Sequence, residues 1–279
     1  MHALIKRLFL HAFVLLGATL VACGGGSGSS GSSATATPPA QAAGQVISTS
    51  VDATQNGNTY AIQIFLPASY VQGTAVLPVI YATEGDAPYG AGGSQSRFDA
   101  FKEEMLSRGT QAILVGIGGV ARRSTDFLLP GAEQYLNFIT KDLAPAIERK
   151  YRADPKRRAL SGLSHGGYFV VAALVLEAST GSLSFSHYLS TELSFGGHGS
   201  VASFLDFEAK LAKSVKSAPA TLFLAGARNG NGAVVGEPLY AQMSSQALPG
   251  LTLIKATYDT THVGADLPAF REALTRFLP

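Results

Sequence analysis

The residues best suited to chemistry in this sequence are Ser164 and the glycines on either side of it. They form a G-x-S-x-G motif, Gly162-Leu163-Ser164-His165-Gly166, between a short apolar segment and an amphipathic one. This context predicts a strand, a sharp turn and a helix, a turn that exposes the serine hydroxyl at the top of a sheet. Ser164 is therefore a candidate nucleophile, and the backbone N–H of His165 is a candidate donor to an oxyanion. A Gly-rich turn without catalytic function is the alternative interpretation.

A serine nucleophile needs a general base to take its proton. The chain has six histidines. His262 follows the apolar segment 251–257 by a short loop and precedes the last predicted helix. That is the position of the base in the chain order serine, acid, histidine. His262 is the predicted base, and a loop histidine that caps a turn is the alternative.

The N-terminal segment, residues 1–22, predicts a signal peptide. Lys6 and Arg7 precede an apolar stretch that ends in Leu20-Val21-Ala22-Cys23. This ending resembles the lipobox of bacterial lipoproteins, which implies lipidation of Cys23, the single cysteine of the chain. Since Gly24 follows the cysteine, we expect a lipid-anchored protein of the cell envelope, at the periplasmic face of the outer membrane. An ordinary secretory signal with an incidental cysteine is the alternative.

Composition divides the remaining chain into two parts. Residues 23–45 combine the lipidated cysteine with a tether rich in Gly, Ser, Ala and Pro, and residues 46–279 have the composition of one globular domain. The chain has 21 Lys+Arg and 19 Asp+Glu, and removal of Lys6 and Arg7 with the signal leaves 19 of each. We therefore expect no nucleic acid as a partner. Without H-E-x-x-H or paired cysteines, we expect neither a metal nor an organic cofactor.

Strand and helix patterns alternate along the domain. The predicted strands cover residues 46–51, 59–66, 75–82, 112–117, 158–163, 185–189, 221–225 and 251–257. The predicted helices cover residues 98–108, 132–151, 166–176, 201–211, 238–246 and 267–278. This order predicts an α/β fold, with a mostly parallel sheet covered by helices on both faces and an N-terminal antiparallel hairpin. The carboxyl ends of parallel strands meet at one rim, so Ser164, Gly85-Asp86, residues 226–229 and His262 are expected to lie close together.

Two further segments carry a resemblance to a known family. Pro78-Val79-Ile80-Tyr81-Ala82-Thr83-Glu84-Gly85-Asp86 resembles its strand and oxyanion loop, PVLYLLDGD. Arg122-Arg123-Ser124-Thr125-Asp126-Phe127 resembles its R-x-x-D-F/Y-T-P segment. The G-x-S-x-G turn at Ser164, the nucleophile elbow, and the segment Thr261-His262-Val263 extend this resemblance. The chain from about residue 46 onward thus resembles the esterase D and enterochelin-esterase-like group of α/β-hydrolases. The resemblance implies an α/β-hydrolase fold and ester chemistry.

The resemblance also implies roles for individual residues. The backbone N–H of Asp86 is the second oxyanion donor beside that of His165, and the Asp86 side chain points away from the developing charge. Arg122, Arg123 and Asp126 brace the loop over the site rather than perform chemistry, with a solvated charge pair as the alternative.

The catalytic acid is where the chain departs from the family pattern. The family has Asp or Glu a few residues after the strand at 222–226, where this chain has Gly226-Ala227-Arg228-Asn229. Three solutions stay open: Glu237 reaches back over the Gly-rich stretch 230–236, Asn229 serves as a neutral orienter, or a Ser164–His262 dyad suffices. Asp259 lies too close to the histidine along the loop to turn inward. The segment 191–200, which contains Glu192, is expected to line the site without an assigned role.

The sequence thus predicts a serine hydrolase that cleaves carboxylic esters through an acyl-enzyme. Siderophore-type or small acyl esters are favoured over feruloyl or acetyl esters of polysaccharides, and acyl transfer to an acceptor other than water shares the same first half. The expected partners are a small-molecule ester and a lipid bilayer. An alternative of another class is a non-catalytic envelope lipoprotein that retains the fold, which the missing acid at Asn229 favours.

Overall fold

The structure is a computed structural model that describes residues 44–89 and 91–277. Its strands are, in chain order, β1 (Gln45–Asp52), β2 (Thr59–Leu66), β3 (Leu77–Ala82), β4 (Pro88–Tyr89), β5 (Gln95–Ser96), β6 (Ile113–Ile117), β7 (Ala153–Leu163), β8 (His187–Thr191), β9 (Thr221–Ala227) and β10 (Thr252–Tyr258). Within the described residues, eight strands form one sheet in the order β1-β2-β6-β3-β7-β8-β9-β10, and β4 and β5 form a short separate hairpin. β1–β2 and β2–β6 pair antiparallel, and every other pairing in the large sheet is parallel.

The helices connect these strands over the two faces of the sheet. They are α1 (Ala68–Gln72), α2 (Arg97–Arg108), α3 (Arg123–Asp126), α4 (Gly131–Asn137), α5 (Ala144–Lys150), α6 (His165–Thr180), α7 (Val201–Ala212), α8 (Glu237–Gln246) and α9 (Asp266–Phe277). α2 and α9 pack together on one face, where the rings of Phe101 and Phe270 stack at 3.7 Å. α4, α5, α6 and α8 belong to the core of the other face. The predicted α/β architecture is confirmed.

The predicted helix over residues 132–151 differs from the structure in one respect. A π-helical turn, Phe138–Leu143, joins α4 to α5 without a break in the chain direction. Pro145 lies at the start of α5 and has no N–H to donate to the carbonyl four residues earlier. A wider turn at this point accommodates the missing hydrogen bond.

A buried ion pair at the start of α2 joins this helix to three other elements beneath the carboxyl rim of the sheet. The guanidinium of Arg97 binds both carboxylate oxygens of Asp266, at 2.7 and 2.9 Å. The same guanidinium donates to the Thr83 carbonyl at 2.7 Å and to the Ser161 hydroxyl at 3.1 Å. Since Arg97 and Asp266 are almost fully buried, this cluster ties the end of β3, the end of β7 and the start of α9 into one unit.

Parallel pairing brings the carboxyl ends of β3, β7, β8, β9 and β10 to this same rim. The loops that leave these ends contain the chemically active residues described below. Among residues 44–89 and 91–277, no helix is long and apolar enough to cross a membrane.

Candidate active site

The turn between β7 and α6 holds Ser164 in a strained backbone conformation. Its φ is 61° and its ψ is −116°, and the residue is 6% exposed. The flanking glycines are required by space: a Cβ at Gly162 would lie 2.2 Å from the Gly166 carbonyl oxygen, and one at Gly166 would lie 2.5 Å from Thr83 Oγ1. The G-x-S-x-G pattern is thus a packing requirement of the nucleophile elbow, and strain of this kind is typical of functional residues.

Two backbone N–H groups beside Ser164 are available to an oxyanion. The N–H of His165, the first residue of α6, and the N–H of Asp86 have no acceptor among the described residues. The carboxylate of Asp86 points to another loop, where it accepts hydrogen bonds from the N–H groups of Gly119 at 3.0 Å and Val120 at 3.1 Å. Its negative charge is therefore held by backbone dipoles rather than directed at the reacting atoms.

His262 forms a hydrogen bond with the carboxylate of Glu192, a residue to which the sequence patterns assign no role. Its Nδ1 lies 2.8 Å from Oε2 of Glu192, the residue that directly follows β8. This hydrogen bond leaves Nε2 of His262 as the ring nitrogen that is free to take a proton. Glu192 is fully buried and has a positive φ of 50°.

The Glu192 carboxylate is held by the last residue of β9 and by the loop that follows this strand. It accepts hydrogen bonds from the backbone N–H groups of Ala227 at 2.6 Å, Gly232 at 2.8 Å and Asn231 at 2.9 Å. Burial opposes ionisation, but the hydrogen bonds from His262 and from these N–H groups outweigh it and lower the pKa of Glu192. The carboxylate is therefore charged beside the imidazole, as an imidazolium-stabilising group must be.

Glycines at the end of β9 and in this loop leave the space that the carboxylate fills. A Cβ at Gly230 would lie 2.3 Å from Glu192 Oε2, and Cβ atoms at Gly226 and Gly232 would lie 2.9 and 3.1 Å from Oε1. The Gly-rich stretch after β9 is thus a cradle for an acid that comes from the neighbouring strand.

The structure corrects the expectations for the acid. Glu237 is directed to Lys255, with which it forms an ion pair at 2.6 Å on the surface. Asn229 and Asp259 are exposed, and neither forms a hydrogen bond with His262 among the described residues. A bare dyad is not the arrangement either, because Glu192 occupies the position of the acid. One signal could have identified it: Glu192 directly follows a strand next to that of the nucleophile, and residues 228–236 after β9 contain no acid.

Arg123 lies closer to the nucleophile than a bracing role implies. Its Nη2 is 3.4 Å from Ser164 Oγ, and its Nε donates to His165 Nδ1 at 3.3 Å. Burial, together with the nearby charges of Arg123 and two other histidines, lowers the pKa of His165 to about 4. His165 is therefore neutral at neutral pH and can accept this hydrogen bond. Among the described residues, no hydrogen bond joins Ser164 directly to His262.

Arg122 and Asp126 brace the loop over the site, as the family resemblance implies for Arg122, Arg123 and Asp126. Arg122 Nε and Nη2 bind the two oxygens of Asp126 at 2.9 and 3.0 Å. Buried Asp126 also accepts a hydrogen bond from the hydroxyl of Tyr60 at 2.8 Å. The pair ties the loop to β2 and fixes the backbone from which Arg123 reaches the site.

Within the described part of the chain, no group of three His, Cys, Asp or Glu residues is placed to hold a metal ion.

The strand order, the elbow and the Glu192–His262 pair at one rim define an α/β-hydrolase. The family model described as "Putative esterase" matches residues 53–217. The chain belongs to this family.

Siderophore esterases are among the proteins to which this chain is similar. The ferri-bacillibactin esterase BesA of Bacillus subtilis (strain 168) is 31% identical over 142 residues, which span 42% of this chain and 48% of that esterase. An IroE-like serine hydrolase from Shewanella oneidensis has a TM-score of 0.67 at 21% identity, with 83% of this chain and 80% of the other covered. The siderophore hydrolase EstA from Aspergillus nidulans has a TM-score of 0.66 at 20% identity, over 82% and 93% of the two chains. At these identities the two structures show a shared fold.

Proposed function

We propose that this protein is a serine esterase that hydrolyses siderophore-type esters through an acyl-enzyme. The observation that carries the esterase assignment is the 2.8 Å bond between His262 and buried Glu192 at the rim where the elbow presents Ser164. The names of the Bacillus esterase and of the Aspergillus siderophore hydrolase support the substrate class.

The proposed reaction begins with attack of Ser164 Oγ on the ester carbonyl carbon. The serine proton passes to Nε2 of His262, and Glu192 stabilises the resulting imidazolium through Nδ1–H. The carbonyl oxygen becomes an oxyanion that accepts hydrogen bonds from the N–H groups of His165 and Asp86. The tetrahedral intermediate then expels the alcohol, which takes the proton from His262. A water molecule releases the acid from the acyl-enzyme by the same steps.

Arg123 supports a preference for substrates with oxygen-rich acyl groups. Its guanidinium is 38% exposed and lies over the nucleophile. A cation at this position favours acyl groups that carry phenolate, carboxylate or hydroxyl oxygens near the scissile carbonyl. Catecholate siderophore esters have such groups.

The test of the esterase assignment compares the wild type with Ser164→Ala. The wild type is expected to react with a fluorophosphonate probe and to hydrolyse p-nitrophenyl acetate, and Ser164→Ala is expected to lose both by roughly 10⁴-fold or more. A properly folded wild type that neither reacts with the probe nor turns over the ester would refute an esterase.

The substrate class is tested by competing esters. We expect bacillibactin to be cleaved with a higher kcat/KM than methyl ferulate or acetylated xylan. Preference for either of the latter would assign the protein to polysaccharide esters instead.

The non-catalytic alternative loses its support, because the acid thought missing at Asn229 is supplied by Glu192.

We also propose that Cys23 is lipidated and anchors the enzyme to the cell envelope, with residues 23–45 as a tether. Most of this segment, and residues 1–22, lie outside the described residues, so the support is the sequence Leu20-Val21-Ala22-Cys23 and the single cysteine. The wild type should partition into the detergent phase of Triton X-114, and Cys23→Ser should stay in the aqueous phase. Equal partitioning of both would contradict the anchor.

A further inference from the structure

Glu84 is a buried carboxyl group that the proposed reaction does not use. It follows β3, is 3% exposed, and has a positive φ of 55°. A non-glycine residue in this conformation is strained, and a buried carboxylate is costly unless it is paired. Its Oε2 has no hydrogen-bond partner among the described residues. Glu84 thus combines an unfavourable backbone conformation with an unfavourable burial of its carboxyl group. A residue of this kind is a candidate for a functional role.

The contact that distinguishes Glu84 is with Arg123. Arg123 Nη1 lies 3.6 Å from Glu84 Oε1, while Nη2 and Nε of the same guanidinium reach Ser164 and His165 at 3.4 and 3.3 Å. The three nitrogens of Arg123 thus face three different residues of the site. All three distances are long for hydrogen bonds, and the side chain is 38% exposed. Packing and hydrogen bonds alone therefore hold the guanidinium weakly, which leaves charge as the main restraint.

The other carboxylates near this part of the rim are engaged elsewhere. Asp126 is bound by Arg122, and Asp266 is bound by Arg97. The Asp86 carboxylate accepts from two backbone N–H groups of another loop. Within residues 44–89 and 91–277, Glu84 is the carboxylate that forms an ion pair with Arg123.

We infer that Glu84 is a positioning residue that holds the guanidinium of Arg123 over Ser164 during ester cleavage. This inference rests on the proposed esterase function. Neutral His165 supplies the second anchor, through Nδ1. Held by Glu84 and His165, the Arg123 guanidinium stays beside the reacting oxygen atoms. It does not form a short ion pair with Glu84 that would neutralise its charge.

The ionisation of Glu84 gives this role a pH dependence. Burial raises the pKa of Glu84 to about 7, although the cations nearby lower it. The charged and titratable groups that act on it or feel its charge are Arg97, Arg123, Asp266, Asp86 and Tyr135. Above about pH 7 the carboxylate is charged and holds Arg123, and below it the proton weakens the pair. The ratio of wild-type to Glu84→Gln activity should therefore increase as the pH rises through 7, because only the wild type has an ionisable carboxyl group at this position.

A double-mutant cycle with Glu84→Gln and Arg123→Ala tests the inference. For p-nitrophenyl acetate, we expect Glu84→Gln to lower kcat/KM about tenfold in the wild type and less than about twofold in the Arg123→Ala background. A carboxyl with a merely structural role would lower activity equally in both backgrounds, and that result would overturn the inference. Glu177→Gln, which removes a buried carboxyl far from Ser164 on α6, is the matched control and should leave kcat/KM unchanged.

Fluorophosphonate labelling separates failure of this inference from failure of the proposed function. A wild type that does not label contradicts the esterase itself, whereas a labelled wild type without coupling between Glu84 and Arg123 contradicts only the positioning role. If Glu84→Gln does not fold, the cycle uses Glu84→Asp, which keeps the charge one methylene short of Arg123. Coupling of about threefold or more then supports the inference, and additive effects overturn it.

Discussion

Replacement of Glu192 by glutamine is the sharpest test of the catalytic centre. Each carboxylate oxygen accepts two hydrogen bonds: Oε1 from Ala227 and Gly232, and Oε2 from Asn231 and His262. A glutamine must direct its NH₂ group at one of these two pairs of donors. With the NH₂ group toward Ala227 and Gly232, both of these N–H groups lose their acceptor. With the NH₂ group toward Asn231 and His262, the Asn231 N–H loses its acceptor, and His262 must accept at Nδ1, the tautomer that leaves its proton on Nε2.

The magnitude follows from this count. The orientation that leaves one N–H without an acceptor is the less costly, and such a donor costs about 1–3 kcal/mol, so Glu192→Gln should lower the free energy of unfolding by about 1–3 kcal/mol. In a domain of this size, that is a fall in Tm of about 2 °C or more. The neutral side chain also cannot stabilise an imidazolium on His262. A change of the same kind in a trypsin-like enzyme lowers kcat by about 10⁴, so we expect a loss of about 10²–10⁴-fold here.

The assay combines thermal unfolding with hydrolysis of p-nitrophenyl acetate and the rate of fluorophosphonate labelling. Glu237→Gln is the matched control, because its exposed pair with Lys255 contributes at most about 1 kcal/mol. That variant should keep its activity within about twofold of the wild type. A folded Glu192→Gln protein with activity within about threefold of the wild type would refute the assignment of Glu192 as the acid.

Three further predictions concern the scaffold of the site. Gly162→Ala places a Cβ 2.2 Å from a backbone carbonyl oxygen and should cost about 1–3 kcal/mol in urea unfolding; an unchanged urea midpoint would contradict the elbow geometry. Asp266→Asn removes the charge partner of fully buried Arg97 and should lower the free energy of unfolding by about 3–5 kcal/mol, which a loss below about 1 kcal/mol would contradict. Folding raises the pKa of Glu84 from 4.5 to about 7, so ionising this group costs stability as the pH rises through that interval. Relative to the wild type, Glu84→Gln should therefore gain about 2.5 kcal/mol between pH 5 and pH 8, and a gain independent of pH would show that Glu84 has an ordinary pKa.

Much of the architecture follows from local sequence patterns. The predicted strand at 59–66 agrees with β2 at both ends, and the predicted helix at 98–108 differs from α2 by one residue. Apolar runs and Gly or Asn turns act over a few neighbouring residues, so their periodicity is readable in one dimension. The π-helical turn within residues 132–151 was not predicted, because one proline changes the hydrogen bonding without changing the apolar spacing.

The sequence by itself determined the nucleophile elbow, since the close approach of Gly162 to the Gly166 backbone lies within a single turn. Only the tertiary structure decided the acid. Glu192 directly follows one strand, its N–H donors lie 35 to 40 residues later at the end of β9 and in the loop after it, and His262 lies 70 residues away. These groups meet because β8, β9 and β10 are adjacent and parallel in the sheet, a relation that no local pattern records. The same physical reason explains Arg123, whose partners at Glu84 and Ser164 come from other loops of the rim.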